Sequence, residues 1–526
     1  MQPRFEVGTI DIAIAVAYII GIILIGWWIG RSQKDADSFL SGRGAVWPLI
    51  GFSLMAANLS GTSYIGLAGA GYGDGIAVWN YEWIATLVLV FFALFILPFY
   101  LRAKVSTMPE FLERRYDGRA RTTFSAFSVG TAIFIDSAGA LFAGAITLQL
   151  LFPETPLWIL IAAIAFLGGI YVILGGLKAV MVTDTIQGVL LLLAGGVIFV
   201  MVFIELGSWE AVRAAAPEDG LTIAKPADDD FFPWPGIFTG AIWLGFYYWT
   251  TNHMVVQKVL AAKDVNHGRW GALFAGFMQV PLLFLLILPG LMGRAIFPDL
   301  EDQDQIWPAL VFDFLPTGLR GLALAALVAA LMSTVDSVLN GSASLVVNDF
   351  VKKRVDWEDR RLLLLSKGLV GVFMVIAAAW APVIATFGGI VEYFQSFLGY
   401  ITMPVVVVFL GGLFSARPPR HAAFWTLAIG IPLGLVGFAG AEVLGLWEIQ
   451  FLYGTGVMFL VSLAVFGAIT FLSSPPDLDE PDELVWSRRF WHEETKDLAD
   501  LPRWKNYRWI AGAIVAVTLA LVVVFI

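Results

Sequence analysis

Between Ala56 and Gly75 the chain reads AANLSGTSYIGLAGAGYGDG, an apolar stretch of helix length punctuated by Gly, Ser, Thr and Asn. A peptide group left unpaired in hydrocarbon costs several kcal/mol, so a helix breaks inside a bilayer only where the break is buried in protein or lines a cavity. Composition says that the surroundings are a bilayer. Hydrophobic residues make up 59% of the chain and charged residues 14%, the mean hydropathy is +0.80, and apolar runs of about 20 residues recur throughout. The segment is expected to be an interrupted transmembrane helix and a binding site.

Hydropathy divides the chain into about fourteen spans: 10–29, 46–72, 79–101, 123–151, 156–175, 182–205, 236–257, 270–296, 317–350, 362–380, 388–415, 421–444, 450–473 and 509–526. The class is an all-α polytopic membrane protein. The stretch from Gly8 to Ile29 is long enough to span and has no small-residue cleavage site, so it reads as a retained helix. Assigning alternate loops to one face places 27 of the 32 basic residues there, leaving only Arg4, Arg213, Lys225, Arg294 and Arg320. The positive-inside rule makes that face cytoplasmic, in a plasma or inner membrane, with both termini on the other side. The opposite face carries acidic loops, one at 205–235 with Glu205, Glu210, Glu218, Asp219 and Asp228 to Asp230, and one from Asp299 to Asp313. These are either a negative mouth that concentrates cations or ordinary solvated loops.

The net charge of −10 is less telling than this distribution, and the absence of Cys removes disulfides, thiolate metal sites and cysteine nucleophiles. The four His residues, His253, His267, His421 and His492, are scattered at predicted cytoplasmic ends, so neither a metal site nor a His-based triad can be assembled. No soluble catalytic or signalling domain is evident, which argues against an enzyme or a sensor; nothing suggests nucleic acid or an obligate protein partner.

Residues 46–205 and 236–415 would each hold five spans, and an odd number inverts the second unit relative to the first. Around them lie 1–45 with the first helix, the acidic loop 206–235, and 416–526 with peripheral helices and a cytoplasmic connector at 474–508. The first span of unit two carries its own polar interruption, from Gly245 to Asn252. Interrupted helices in corresponding positions of two halves point to a transporter site at the midplane.

A carboxylate at a helix centre costs roughly 2.5 to 3.5 kcal/mol, so each one needs a reason. The candidates are Glu82, Asp136, Asp184, Asp336 and Glu392. Asp336 stands out because Ala330, Ser333, Thr334 and Ser337 surround it within about two turns. Hydroxyls, carboxylates and freed backbone carbonyls are the ligands that a hard cation such as Na⁺ takes.

The runs SLMAANLSGTSYIGLAGAGYGDGIAVWNYEW, TMPEFLERRYD from Thr107, GGLKAVMVTDTIQG from Gly175, YYWTTNHMVVQKVLAAKD from Tyr247, AALMSTVDS from Ala329 and the EYFQSFLGYITMP stretch resemble the sodium:solute symporter family, nearest to its sodium/sugar cotransporter branch. The likeness covers about residues 10–475 in order. It implies a LeuT-type core of two inverted five-helix repeats and Na⁺ as coupling ion, with no other cofactor. By position, the main Na⁺ site would use the carbonyls of Ala56, Leu59 and Ala330 and the hydroxyls of Ser333 and Thr334. A second Na⁺ site would use Asp184, Ser333, Asp336 and Ser337; a protonated Asp or no second ion are the alternatives.

For the solute, the resemblance implies Tyr81, Glu82, Gln395 and Tyr248, the last as the residue that closes the cytoplasmic side. Three positions depart from the family pattern: Ser63 replaces a Gln, Gly245 an Asn and Gln279 a Lys. Asp136 is the candidate for replacement polarity. The expectation is Na⁺-driven symport of a small polar solute, a sugar or polyol, with sialic acid, an amino acid, a carboxylate or passive flux as rivals. Against these assignments stand interfacial roles for Tyr81, Trp83, Tyr247 and Trp249, snorkelling for Glu82 and interhelical bonding for Gln395.

Overall fold

The structure is a computed structural model that describes residues 8–31, 44–103, 105, 107–149, 152–171, 177–355, 357–474, 484–499 and 501–526. Each of the fourteen apolar stretches carries helix. Among the described residues eight continuous helices are long and apolar enough to cross a membrane, and a ninth crossing is a pair bent by 55°.

In chain order the helices are α1 (Thr9–Arg31), α2 (Trp47–Asn58), α3 (Gly61–Asp74), α4 (Ile76–Arg102), α5 (Gly118–Gln149), α6 (Leu157–Tyr171), α7 (Leu177–Leu206), α8 (237–251), α9 (His253–Leu260), α10 (Val265–Ile296), α11 (Leu319–Val346), α12 (Arg360–Thr386), α13 (Ile390–Ile401), α14 (Met403–Phe414), α15 (Ala422–Val443), α16 (Phe451–Leu472), α17 (Arg488–Ala499) and α18 (Tyr507–Val524). Side chains start many of them. Asp117 accepts from the Ala120 amide and Asp264 from the His267 amide, each at 2.9 Å, which satisfies first-turn donors that have no partner within the helix.

Both interrupted spans are broken, but more narrowly than the sequence suggested. The first breaks only at Leu59 and Ser60, between α2 and α3; the Gly-rich run 61–74 is itself helical. Its glycines serve close packing instead. A Cβ on Gly71 would press on the Ile287 carbonyl, and Gly66 faces Val391. The second interruption runs helically through the widened turn Tyr247–Thr251 and breaks at Asn252, whose ψ of 120° is extended. Each broken span is braced by the second span of the other unit, α10 along α2 and α3, and α4 along α8. Those braces share a device. A π turn at Phe92–Ile96 precedes Pro98, and another at Leu283–Ile287 precedes Pro289, because proline cannot donate to the preceding turn and the chain widens to compensate.

The two ends of the bundle differ in charge. At one end the 205–235 loop meets the C-terminus, with Ile223 N donating to the Phe525 carbonyl at 2.9 Å, and meets Tyr453, which donates to the Ala227 carbonyl at 2.6 Å. Asp11, at the start of α1, accepts from the Gly318 and Gly321 amides and from Arg320 at this same end. The start of α1 and the end of α18 therefore share the acidic end. At the basic end Arg115 donates to the carbonyls of Gly412 and Ser415, and Arg121 pairs with Asp349 at 2.6 Å.

The acidic loops are not a simple solvated mouth. Val212, Ile223 and Phe232 are buried beneath the first. In the second, Asp304 is buried against α3 and accepts from the Ile390 amide at 2.9 Å, while Gln303 donates to the Gly388 carbonyl at 2.6 Å. That turn latches α3 to the start of α13. Burial and the neighbouring Asp302 charge push the Asp304 carboxyl well above the usual range.

Candidate functional site

The first break is the centre of a polar cluster. Asn58, the last residue of α2, donates through Nδ2 to Glu82 at 3.1 Å and to Gln279 at 2.8 Å. Glu82 lies on α4 and Gln279 on α10, and both are buried. One turn away, Thr86 donates to the Gly276 carbonyl at 2.9 Å and fixes those two helices side by side. Gln279 returns its own amide to the Ala275 carbonyl at 3.1 Å. Ser63, in the first turn of α3, donates to the Asn58 carbonyl, so the freed backbone at the break is claimed by a side chain from across it. Glu82, Gln279 and Ser63 are thus drawn together, with Asn58 as the link that the sequence reading passed over. Its signal was plain enough: a lone amide in an apolar helix, one residue before the break.

The Tyr81 hydroxyl is buried without a partner among the described residues, its ring edge-on to Phe232 at 5.0 Å between centroids. Gln395 is half-buried on α13, which packs on α3. Tyr248 donates to the Ala57 carbonyl at 3.2 Å and lies within electrostatic reach of both Glu82 and Asp136. That bond ties the second broken span to the first just short of its break. Asp136 sits in the π turn Ala132–Ser137 of α5, facing Tyr247 and Tyr248. Gly245 is turned to the α4 wall, where a Cβ would come within 3.3 Å of Val88. The Cβ of an Asn there would need the Val88 methyl to give slightly. Glu392 occupies the first turn of α13, where the helix dipole favours a carboxylate.

Of the residues expected to hold Na⁺, Ala56, Leu59 and Ala330 lie at or beside the same break. Leu59 and Ala330 are buried, and Gly61 packs against Leu331, which brings the break beside α11. Thr334 donates to the Ala330 carbonyl at 3.0 Å, so two of the expected ligands adjoin. Gly188 of α7 passes within van der Waals reach of Ala56. The side chains of Ser333, Asp336 and Ser337 lie outside the described residues. Asp184 has an ion-pair partner that the sequence reading had counted as a loop charge. Lys258, at the end of α9, reaches it at 3.1 Å and also donates to the Ser53 carbonyl at 3.2 Å.

Two broken helices with carbonyls and hydroxyls converging at the break, flanked by a buried carboxylate and amides, can hold a cation and a hydroxyl-bearing solute side by side. Comparison with known proteins decides the family. The model of the sodium:solute symporter family matches residues 38–430. The chain belongs to that family. This symporter is 29% identical to sodium/glucose cotransporter 4 of Danio rerio over 95% of its own length and 84% of the relative's. It is 30% identical to human sodium/myo-inositol cotransporter 2, over 93% and 80%. A solved Na⁺-coupled sialic acid symporter superposes with a TM-score of 0.75 at 20% identity, covering 89% of this chain and 99% of that one. Inward-facing Mhp1 gives 0.53 at 14% identity, covering 86% and 95%. The symporter is a multi-pass membrane transporter of the LeuT type that couples to Na⁺, not an enzyme.

Proposed function

We propose that the protein imports a sugar or polyol with Na⁺, and that the Asn58, Glu82 and Gln279 cluster binds the solute hydroxyls. The observation that carries this reading is the placement of a buried carboxylate acceptor and two amides at the helix break, with the hydroxyl of Tyr81, one residue before Glu82 in the chain, unpartnered among the described residues. Hydroxyl groups donate and accept at once, so a polyhydroxy solute satisfies an acceptor, an amide and a phenol together. Gln395 and Ser63 complete the wall, Tyr248 closes the basic end and Asp136 supplies polarity behind it. With Gly245 on the α4 wall, the amide expected there in the family is replaced by bare helix packing.

Na⁺ would occupy the main site formed by Ala56, Leu59, Ala330, Ser333 and Thr334. By tying the α2–α3 break to α11 it would complete the solute pocket and raise solute affinity by linkage. One Na⁺ falling through 100 mV supplies roughly 2.3 kcal/mol, more than the roughly 1.4 kcal/mol of a tenfold solute gradient. The basic end is read as cytoplasmic, in the plasma or inner membrane. A second ion at Asp184, Ser333, Asp336 and Ser337 requires Lys258 to withdraw, because its ammonium already supplies the positive charge there.

The test is uptake into proteoliposomes of labelled monosaccharides, polyols, sialic acid and proline under an inward Na⁺ gradient, against matched K⁺. Accumulation of a sugar or polyol only with Na⁺, abolished by Ser333→Ala, is expected. Equal flux in both salts, or uptake of proline alone, overturns the proposal.

A further inference from the structure

Far from the helix breaks, at the basic end, a cavity of about 440 Å³ lies between the ends of α4 and α10, the helix α17 and the first turn of α18. Among the described residues its walls carry three cations, Arg102, Arg269 and Lys505, against one carboxylate, Glu494. That carboxylate is already saturated. Arg269 Nη1 and Arg508 Nη2 pair with it and the Tyr507 hydroxyl donates to it at 2.6 Å. Burial opposes its charge, but these hydrogen bonds hold it below the usual carboxylate range.

The cations are not saturated. Arg269 is 2% exposed; its Nε donates to the Ala93 carbonyl at 3.2 Å and its plane lies 4.2 Å over the Tyr507 ring, yet its Nη2 has no acceptor among the described residues. A buried guanidinium N–H without an acceptor is costly, and an incoming anion removes that cost. Arg102 and Lys505 are exposed and form no direct ion pair among the described residues, the charge of Arg102 reaching Glu493 only at longer range. Each rests on an aromatic ring, Phe490 at 4.0 Å and Trp504 at 4.9 Å. The same segment exposes Leu501, Trp504 and Trp509, the side chains that settle at a bilayer surface.

A buried N–H without an acceptor among the described residues, two exposed cations and an apolar rim suit a phosphate whose ester carries acyl chains. We propose that this cavity binds the headgroup of an anionic phospholipid and thereby fastens α17 and α18 to the transporter core. The reading is independent of which solute is carried.

The full chain, purified in detergent, would be titrated with phosphatidylglycerol, phosphatidylcholine, inorganic phosphate and glycerol phosphate. Thermal unfolding and native mass spectrometry would be read together. Phosphatidylglycerol is expected to raise the unfolding midpoint saturably and to leave a retained lipid. The double variant R102Q/K505Q, altered only at exposed positions, should keep its lipid-free midpoint and need about tenfold more of that lipid or higher. Equal effects of phosphatidylcholine, an unchanged titration in the double variant, or an equal shift with inorganic phosphate or glycerol phosphate would each overturn the proposal.

Discussion

The two helix breaks look alike in sequence and do different work. At Asn252 the chain mostly repairs itself: the Asn252 amide bonds the Tyr247 carbonyl at 2.9 Å and its side chain accepts from Met254 N at 2.9 Å, with Tyr100 of α4 adding one bond to the Thr250 carbonyl at 3.1 Å. At Leu59 and Ser60 the repair is incomplete and reaches outward, with Asn58 spending its amide on α4 and α10. A break that satisfies its own groups is a hinge. One whose groups are spent on other helices is a site, because a ligand can replace those partners.

Asn58→Ala is the strongest way to break that contrast. It leaves Glu82 and Gln279 without their shared donor, at about 1–3 kcal/mol of buried polarity, so solute affinity is expected to fall about 10- to 100-fold. Solute binding to the detergent-purified variant checks this, and unchanged affinity would make the cluster mere helix packing. Tyr248→Phe removes the bond between the two broken spans and is expected to raise solute efflux several-fold with little change in binding. The efflux rate from preloaded proteoliposomes decides it.

Asn252→Ala sharpens the other side. Losing a helix cap should cost about 1 kcal/mol of stability, seen as a lower unfolding midpoint, while solute affinity stays within about twofold. Asp184→Asn and Lys258→Gln together ask whether the ammonium or a second Na⁺ neutralises the carboxylate. If Lys258 does so throughout the cycle, the Hill slope for Na⁺ stays near one in wild type and variant alike. The smallest effect is at the latch. The Asp304 carboxyl is held above its ordinary value only while buried, so protonation favours the latched form. Acidification should slow labelling of a Ser63→Cys variant from the acidic side, and Asp304→Asn should erase that pH dependence.

Much of this was legible in the chain. Runs of apolar residues fix the helices, and the sorting of Lys and Arg between loops marks a basic and an acidic end, since a bilayer charges every exposed peptide and every buried charge individually. Glu82, Gln279 and Ser63 could be named from motif and polarity alone. Asn58 and Lys258 could not be given roles, because each acts through residues that are remote in sequence, Gln279 and Asp184. The glycines of 61–74 were read as interruptions for the same reason: a glycine that breaks a helix and one that admits a neighbouring carbonyl are the same letter.

The sequence by itself determined the all-helical membrane class and the family, because hydrophobicity and motif are properties of contiguous residues. Only the tertiary structure decided where each helix truly breaks, that Lys258 answers Asp184, that Gly245 meets α4 and that Asp304 is a latch. Those are contacts between segments far apart in the chain, and their energies depend on distance and burial, which no local pattern encodes.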